Sequence, residues 1–186
     1  MERWVLLRKG ADFEAIGKKY QISPRLACLI RNRDVIGEEA VDRYLNGTIS
    51  DLYDGMLMKD MDKAIDILKE KILEDKKIRV IGDYDIDGVN ATYILLEGLE
   101  RLGADVDSDI PDRISDGYGL NRHLVERAYE AGVDTLITCD NGIAAADEIA
   151  YGKEMGMTVI VTDHHEVPFD EQDGEKRYRI PPADAV

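Results

Sequence analysis

The sequence predicts an α/β fold, a parallel sheet with helices on both faces preceded by a small helical region, and three observations carry that expectation. Strand-like runs at Ile78 to Gly82, Asp105 to Ile110, Asp134 to Cys139 and Met157 to Thr162 alternate with helical stretches, the pattern of parallel strands joined by helical crossovers. Glycine follows each intervening helix, in Leu102-Gly103, Ala131-Gly132 and Met155-Gly156, where a left-handed cap turns the chain back toward the next strand. Each strand, read as a short apolar run, leads into a polar cluster: Asp83-Tyr84-Asp85-Ile86-Asp87-Gly88, Pro111-Asp112-Arg113, Cys139-Asp140-Asn141-Gly142 and Asp163-His164-His165. Right-handed crossovers gather all of these ends along one edge of the sheet.

Residues 1–57 read as the helical N-terminal region and 58–186 as the catalytic domain. Ser23 is a helix N-cap with Pro24 at the first helical position, and Leu26, Leu29 and Ile30 share one face of that helix. Val41, Tyr44 and Leu45 mark a short helix that Asn46-Gly47 ends. From Met58 to Leu73 a stripe of Met61, Ala64, Ile65, Leu68 and Ile72 opposes the solvated Lys69, Glu70 and Lys71. After the first strand, Val89, Tyr93, Leu96 and Leu99 form the apolar face of the next helix.

Composition narrows the function. With 186 residues, 44% hydrophobic and 34% charged, the chain is long enough for one full core. No apolar run approaches the roughly 18 residues of a membrane span, and Met1-Glu2-Arg3-Trp4 lacks the layout of a signal peptide, so the expectation is a cytoplasmic protein with no membrane partner. Cys28 and Cys139 are too few for a disulfide framework. A net charge of −15 opposes a polyanion held by many phosphate contacts. Such a ligand needs bound cations, the local patch of Arg25, Arg31 and Arg33, or further chain. No phosphate-cradling Gly-x-Gly-x-x-Gly, Walker loop or Gly-x-Ser-x-Gly elbow is present, which disfavours nucleoside triphosphate chemistry.

The polar clusters read together as a metal site. Asp85 and Asp87 lie two apart on a turn closed by Gly88. One aspartate there would also cap the next helix, but three acids in five residues exceed what one cap can use and repel one another until a cation resolves the repulsion. Asp140 follows the third strand, and two imidazoles, His164 and His165, directly follow the fourth. Oxygen ligands with imidazole suit Mn²⁺ or Mg²⁺, the ions of hydrolytic phosphate chemistry. Arg113 could hold a phosphate oxygen or pair with Asp112, Asp83 could hydrogen-bond the loop, and His123 reads as a surface residue.

Gly82-Asp83-Tyr84-Asp85-Ile86-Asp87-Gly88 with Thr162-Asp163-His164-His165 resembles the DHH phosphoesterase superfamily, in particular its single-strand-specific exonucleases. Ile110-Pro111-x-Arg113, Gly117-Tyr118-Gly119-Leu120, Asn32-Arg33 and Tyr44-Leu45 extend the resemblance over nearly the whole chain. The resemblance implies Asp85 on one metal, Asp87 and His164 on the other, and Asp140 bridging them. His165 and Arg113 would touch the phosphate, with Asp83 and Asp163 behind the ligands. It further implies hydrolysis of single-stranded DNA to 5′-mononucleotides from the 5′ end, in repair and recombination, with a single-strand-binding protein and a helicase as partners. Ile81 stands where relatives that cleave pyrophosphate or short oligonucleotides place a histidine. The family also uses a further bridging aspartate well downstream of the two histidines, in a chain with a DHHA1 and often an OB-like domain. The 186 residues are therefore expected to be part of a longer protein. A phosphodiesterase for short oligonucleotides or cyclic dinucleotides, or an incomplete metal- or nucleotide-binding fragment, is the alternative.

Overall fold

The computed structural model describes residues 9–172 and 174–186. The chain divides into two compact units, Met1–Asp54 and Gly55–Val186. In the first, α1 (Phe13–Tyr20) is capped by Asp12, whose carboxylate accepts the amide N–H of Ala15. α2 (Pro24–Asn32) starts at the expected Ser23-Pro24, and the hydroxyl oxygen of Ser23 accepts the N–H of Leu26. Its buried face is Ala27 with Ile30, while Leu26 and Leu29 are exposed. α3 (Glu38–Asn46) buries Val41 and stops at Gly47, which has φ −58 and no left-handed turn. Glycine is required there because a Cβ would lie 2.4 Å from the Arg43 carbonyl oxygen.

The second unit opens with α4 (Met61–Leu73). Then β1 (Ile78–Ile81), α5 (Ile86–Arg101), β2 (Val106–Asp109), α6 (Arg122–Glu130), β3 (Thr135–Cys139), α7 (Ala146–Glu154) and β4 (Thr158–Thr162) alternate as the sequence predicts. The strands form one parallel sheet in the order β2-β1-β3-β4. Successive side chains on the strands serve opposite faces. Ile81, Leu136, Val159 and Val161 pack with Leu124, Val125 and Ala128 of α6 and Ile149 of α7. Ile78, Val80, Ile137, Cys139 and Ile160 pack with Leu99 and Leu95 of α5 and with Ala64, Leu68 and Ile72 of α4. Each fully buried Ile or Leu contributes roughly 1.5–3 kcal/mol of transfer free energy, which is why both sheet faces are covered.

The three glycine caps are present: Gly103, Gly132 and Gly156 have φ of +85, +74 and +85. The amides that follow them donate back to the carbonyls of Leu99, Ala128 and Gly152.

Two further expectations change. β2 is not apolar; it reads Val-Asp-Ser-Asp on the sheet edge. The carboxylate of Asp107 takes a bidentate pair from Arg79 Nε and Nη2 at 2.6 and 2.7 Å, with Lys77 Nζ at 3.1 Å, and Asp109 pairs with Arg127. On α5, Leu99 is buried as expected, but Val89 and Tyr93 are exposed, and Gly88 and Thr92, one step around the helix, are buried in their place. The Thr92 hydroxyl donates to the Gly88 carbonyl at 2.7 Å and reaches Cys139 of β3, which fixes that face inward.

A hairpin of β5 (Phe169–Gln172) and β6 (Glu175–Tyr178) follows β4 and was not read from the sequence. Its side chains are exposed, so no alternation toward a core marks it. The chain then runs beside β4, where Val161 donates its N–H to the Ala185 carbonyl and Asp184 donates to that of Val159.

Candidate metal centre

In the order β2-β1-β3-β4 the chain leaves β1 for one side of the sheet and takes up β3 on the other, so the crevice of an open α/β fold lies at the C-terminal ends of β1 and β3. Asp83 and Asp85 follow β1, and Asp140 follows β3. Asn141 ties these two ends together. Its side-chain amide, 2% exposed, donates to the Ile81 carbonyl at 3.1 Å and to the Cys139 carbonyl at 3.0 Å. Asp140 between them has φ +61, a left-handed conformation that aspartate tolerates better than most residues.

The structure brings Asp140, His164 and His165 together, each offering one ligand atom within 4.8 Å of the others. Nε2 of His164 lies 2.8 Å from Oδ1 of Asp140. Asp163 orients the second imidazole: its Oδ1 is 2.7 Å from His165 Nδ1 and accepts the His165 N–H, while its Oδ2 accepts the Ile143 N–H at 2.9 Å. The hydrogen bond to Asp163 raises the His165 pKa above its ordinary value, and the charges of Asp163, Asp140 and Asp83 add to the shift.

Asp85 takes the capping role its position allows. Oδ1 caps α5 by accepting the N–H groups of Asp87 and Gly88, each at 3.0 Å. The bond from Gly88 is the main reason its pKa is lowered, and Asp140 and His165 are also neighbours of its carboxyl. Gly88 permits this turn because a Cβ would sit 2.5 Å from the Asp83 carbonyl oxygen. Asp85 and Asp87 are both exposed and lie outside the Asp140–His164–His165 group. Arg113 lies over the Tyr84 ring, 4.9 Å from its centroid, and Asp112 caps its own loop through the N–H groups of Ile114 and Ser115. His123 is exposed on α6.

The donor set fits a divalent cation. Asp83 is 1% exposed, and neither of its carboxylate oxygens has a hydrogen-bond partner, an arrangement that costs free energy unless something positive meets the group. Two side chains that sequence reasoning passed over also belong here. The sequence presents Asn141 only as part of a turn, and Tyr118 only as the middle of Gly117-Tyr118-Gly119. The Tyr118 hydroxyl lies 3.3 Å from His165 Nε2, and its pKa is raised, first by burial and then by Asp83, Asp140, Asp163 and Asp85. For Asn141 the signal available was its place in the acid turn directly after β3, and for Tyr118 its two flanking glycines.

Residues 77–185 match the DHH family, N-terminal domain, and the chain belongs to that family. Within it the chain is 39% identical over 165 residues to the single-stranded-DNA-specific exonuclease RecJ of Bacillus subtilis, covering 88% of this chain and 21% of that protein. RecJ of Thermus thermophilus is 44% identical over 108 residues, covering 58% and 16%. A crystal structure of exonuclease RecJ bound to manganese superposes with a TM-score of 0.61 at 37% identity, covering 72% of this chain and 32% of that one. RecJ from Thermus thermophilus in complex with Mn²⁺ also gives 0.61, at 28% identity and 99% and 24% coverage. The chain thus spans a minor part of the relatives it matches. No helix among the described residues is long and apolar enough to cross a membrane.

Proposed function

We propose that residues 58–186 form the catalytic domain of a metal-dependent phosphodiesterase, a single-strand-specific exonuclease that releases 5′-mononucleotides from the 5′ end of DNA in repair and recombination. The convergence of Asp140, His164 and His165 beside the orphaned Asp83 carboxylate carries this reading, and the RecJ relatives support its substrate. Asp85, Asp140 and His164 would hold Mn²⁺ or Mg²⁺, with Asp87 completing a second position. When bound, such cations supply charge that stabilises the developing negative charge on phosphodiester oxygens and acidify an attacking water. His165, pushed toward its charged form by Asp163, would donate to a non-bridging phosphate oxygen, and Arg113 would offer its guanidinium to another. Asn141 keeps Asp140 and the β1 turn at a fixed separation. Single-strand-binding protein and a helicase would be its partners, and the cytoplasm its place.

The test is hydrolysis of long single strands by the longer protein with Mn²⁺ and without it. Metal-dependent release of mononucleotides, abolished by Asp140→Ala, is expected; undiminished release by Asp140→Ala would remove the reading. Faster cleavage of dinucleotides than of long strands would assign a short-oligonucleotide phosphodiesterase instead. Mn²⁺ and mononucleotide binding without turnover would assign a binding module.

A further inference from the structure

Beside the metal centre lies a cleft of about 280 Å³ whose lining includes Tyr118, Leu120, Ile143, Ala145, Glu148 and His165. Its chemistry differs from that of the cluster at its rim. Leu120, Ile143 and Ala145 are apolar, and the acidic Glu148 and Glu166 on its walls oppose a phosphate inside it. One wall is the Tyr118 side chain, whose residue is 57% exposed. Exposed aromatic rings are usually free to turn, but this one is held. Gly117 and Gly119 on either side have φ of +80 and +71, Tyr84 and His165 pack against it edge to face at 6.1 and 6.2 Å, and its hydroxyl meets His165 Nε2. A fixed, solvent-facing aromatic ring next to a phosphate site has the form of a stacking platform.

The larger groove of about 470 Å³ between α4 and β4 also reaches Asp163 and His165. Its walls are aliphatic, with Met58, Met61, Leu68 and Val167, and no Phe, Tyr or Trp lines it among the described residues. It offers a base nothing to stack on.

Resting on the phosphodiesterase reading, we propose that the cleft holds the nucleobase of the nucleotide whose phosphate lies at the Asp140–His164–His165 cluster, stacked on Tyr118. The sugar spans the rim formed by His165, so the negative phosphate stays outside the acidic walls and the neutral ring enters. The volume falls below the ~300–1,000 Å³ of sites for drug-sized ligands, which suits one base and excludes two. Recognition through a ring face accepts any of the four bases.

The test compares binding of thymidine 5′-monophosphate and 2-deoxyribose 5-phosphate to the longer protein in saturating Mn²⁺, by calorimetry, for the native protein, Tyr118→Ala and Tyr118→Phe. The nucleotide is expected to bind about tenfold or more tighter than the sugar phosphate, the scale of one base–aromatic stack. Tyr118→Ala should abolish that preference, and Tyr118→Phe should keep it. Equal affinities in the native protein, or a preference unchanged in Tyr118→Ala, would overturn the subsite. The preceding Mn²⁺ titration separates the two levels. A saturable Mn²⁺ isotherm without base preference overturns the subsite alone, and absence of Mn²⁺ binding overturns the metal reading and the subsite together.

Discussion

Acids at the two ends of one sheet meet different fates. Along the strand bodies and the N-terminal edge, three carboxylates are matched with cations: Asp107 with Arg79 and Lys77, Asp134 with Lys71 at 2.7 Å, and Asp184 with Lys153 at 2.6 Å. At the C-terminal edge, Asp83, Asp85, Asp87, Asp140 and Asp163 form no ion pair with lysine or arginine among the described residues; Asp85 accepts backbone N–H groups, Asp140 and Asp163 meet the two imidazoles, and the Asp83 carboxylate has no hydrogen-bond partner. A chain of net charge −15 thus pairs these three acids and leaves the five at the ends of β1, β3 and β4 without a lysine or arginine partner. That contrast separates acids that hold a fold together from the acids proposed to hold a cation.

The contrast breaks most severely if Asp140 is neutralised. Asp140→Asn should weaken Mn²⁺ binding by more than about a hundredfold in calorimetry, with little change in the fold, because the two Asn141 hydrogen bonds remain. Asn141→Ala should act more mildly. Loss of its ties to Ile81 and Cys139 frees the left-handed Asp140 turn, and Mn²⁺ affinity should fall about tenfold, the scale of an orienting partner. If Asn141→Ala changes stability without changing Mn²⁺ affinity, the tether has only a structural role.

At the other end the readouts should exchange. Lys71→Ala should cost about 1 kcal/mol in urea unfolding, since its pair with Asp134 is partly buried, and should leave Mn²⁺ affinity unchanged. The smallest effect is on pH dependence. Burial opposes ionisation of Asp184, but hydrogen bonds from Lys153 and the Val159 N–H outweigh it and lower its pKa from the ordinary 3.8. A folded-state pKa below the unfolded one gives stability that is present above about pH 4 and lost as pH falls through the lower folded value. Asp184→Asn should therefore show a shallower drop in melting temperature than the native protein on acidification below pH 4. Equal slopes would show that the pair adds no pH-dependent stability.

Much of this division was legible in the sequence, and the rest was hidden for physical reasons. Alternating strands and helices, Gly103, Gly132 and Gly156 as caps, and the order of the acid turns are local signals, and they fixed the edge on which Asp140, His164 and His165 meet. The burial face of α5 was misjudged because Val89 and Tyr93 are apolar but lie on the side of the helix away from β1 and β3, while polar Thr92 faces inward with its hydroxyl satisfied by the Gly88 carbonyl. β2 was read as apolar because its neutralising partners, Arg79, Lys77 and Arg127, are remote in sequence. The cap at Asp85 is local and was legible, whereas the orphaned Asp83 carboxylate and the cross-strand reach of Asn141 depend on three-dimensional neighbours that no spacing discloses.

The central claim concerns where a cation goes on a chain that is acidic nearly everywhere, and amide resonances of the ¹⁵N-labelled protein titrated with substoichiometric Mn²⁺ report it directly. Paramagnetic broadening should begin at the turns around Asp83 to Gly88, Asp140 to Ile143 and Asp163 to His165, while amides at Lys77, Asp105 and Asp134 on the opposite edge keep their intensity. Broadening that starts at the opposite edge, or spreads evenly over the acidic surface, would contradict the account.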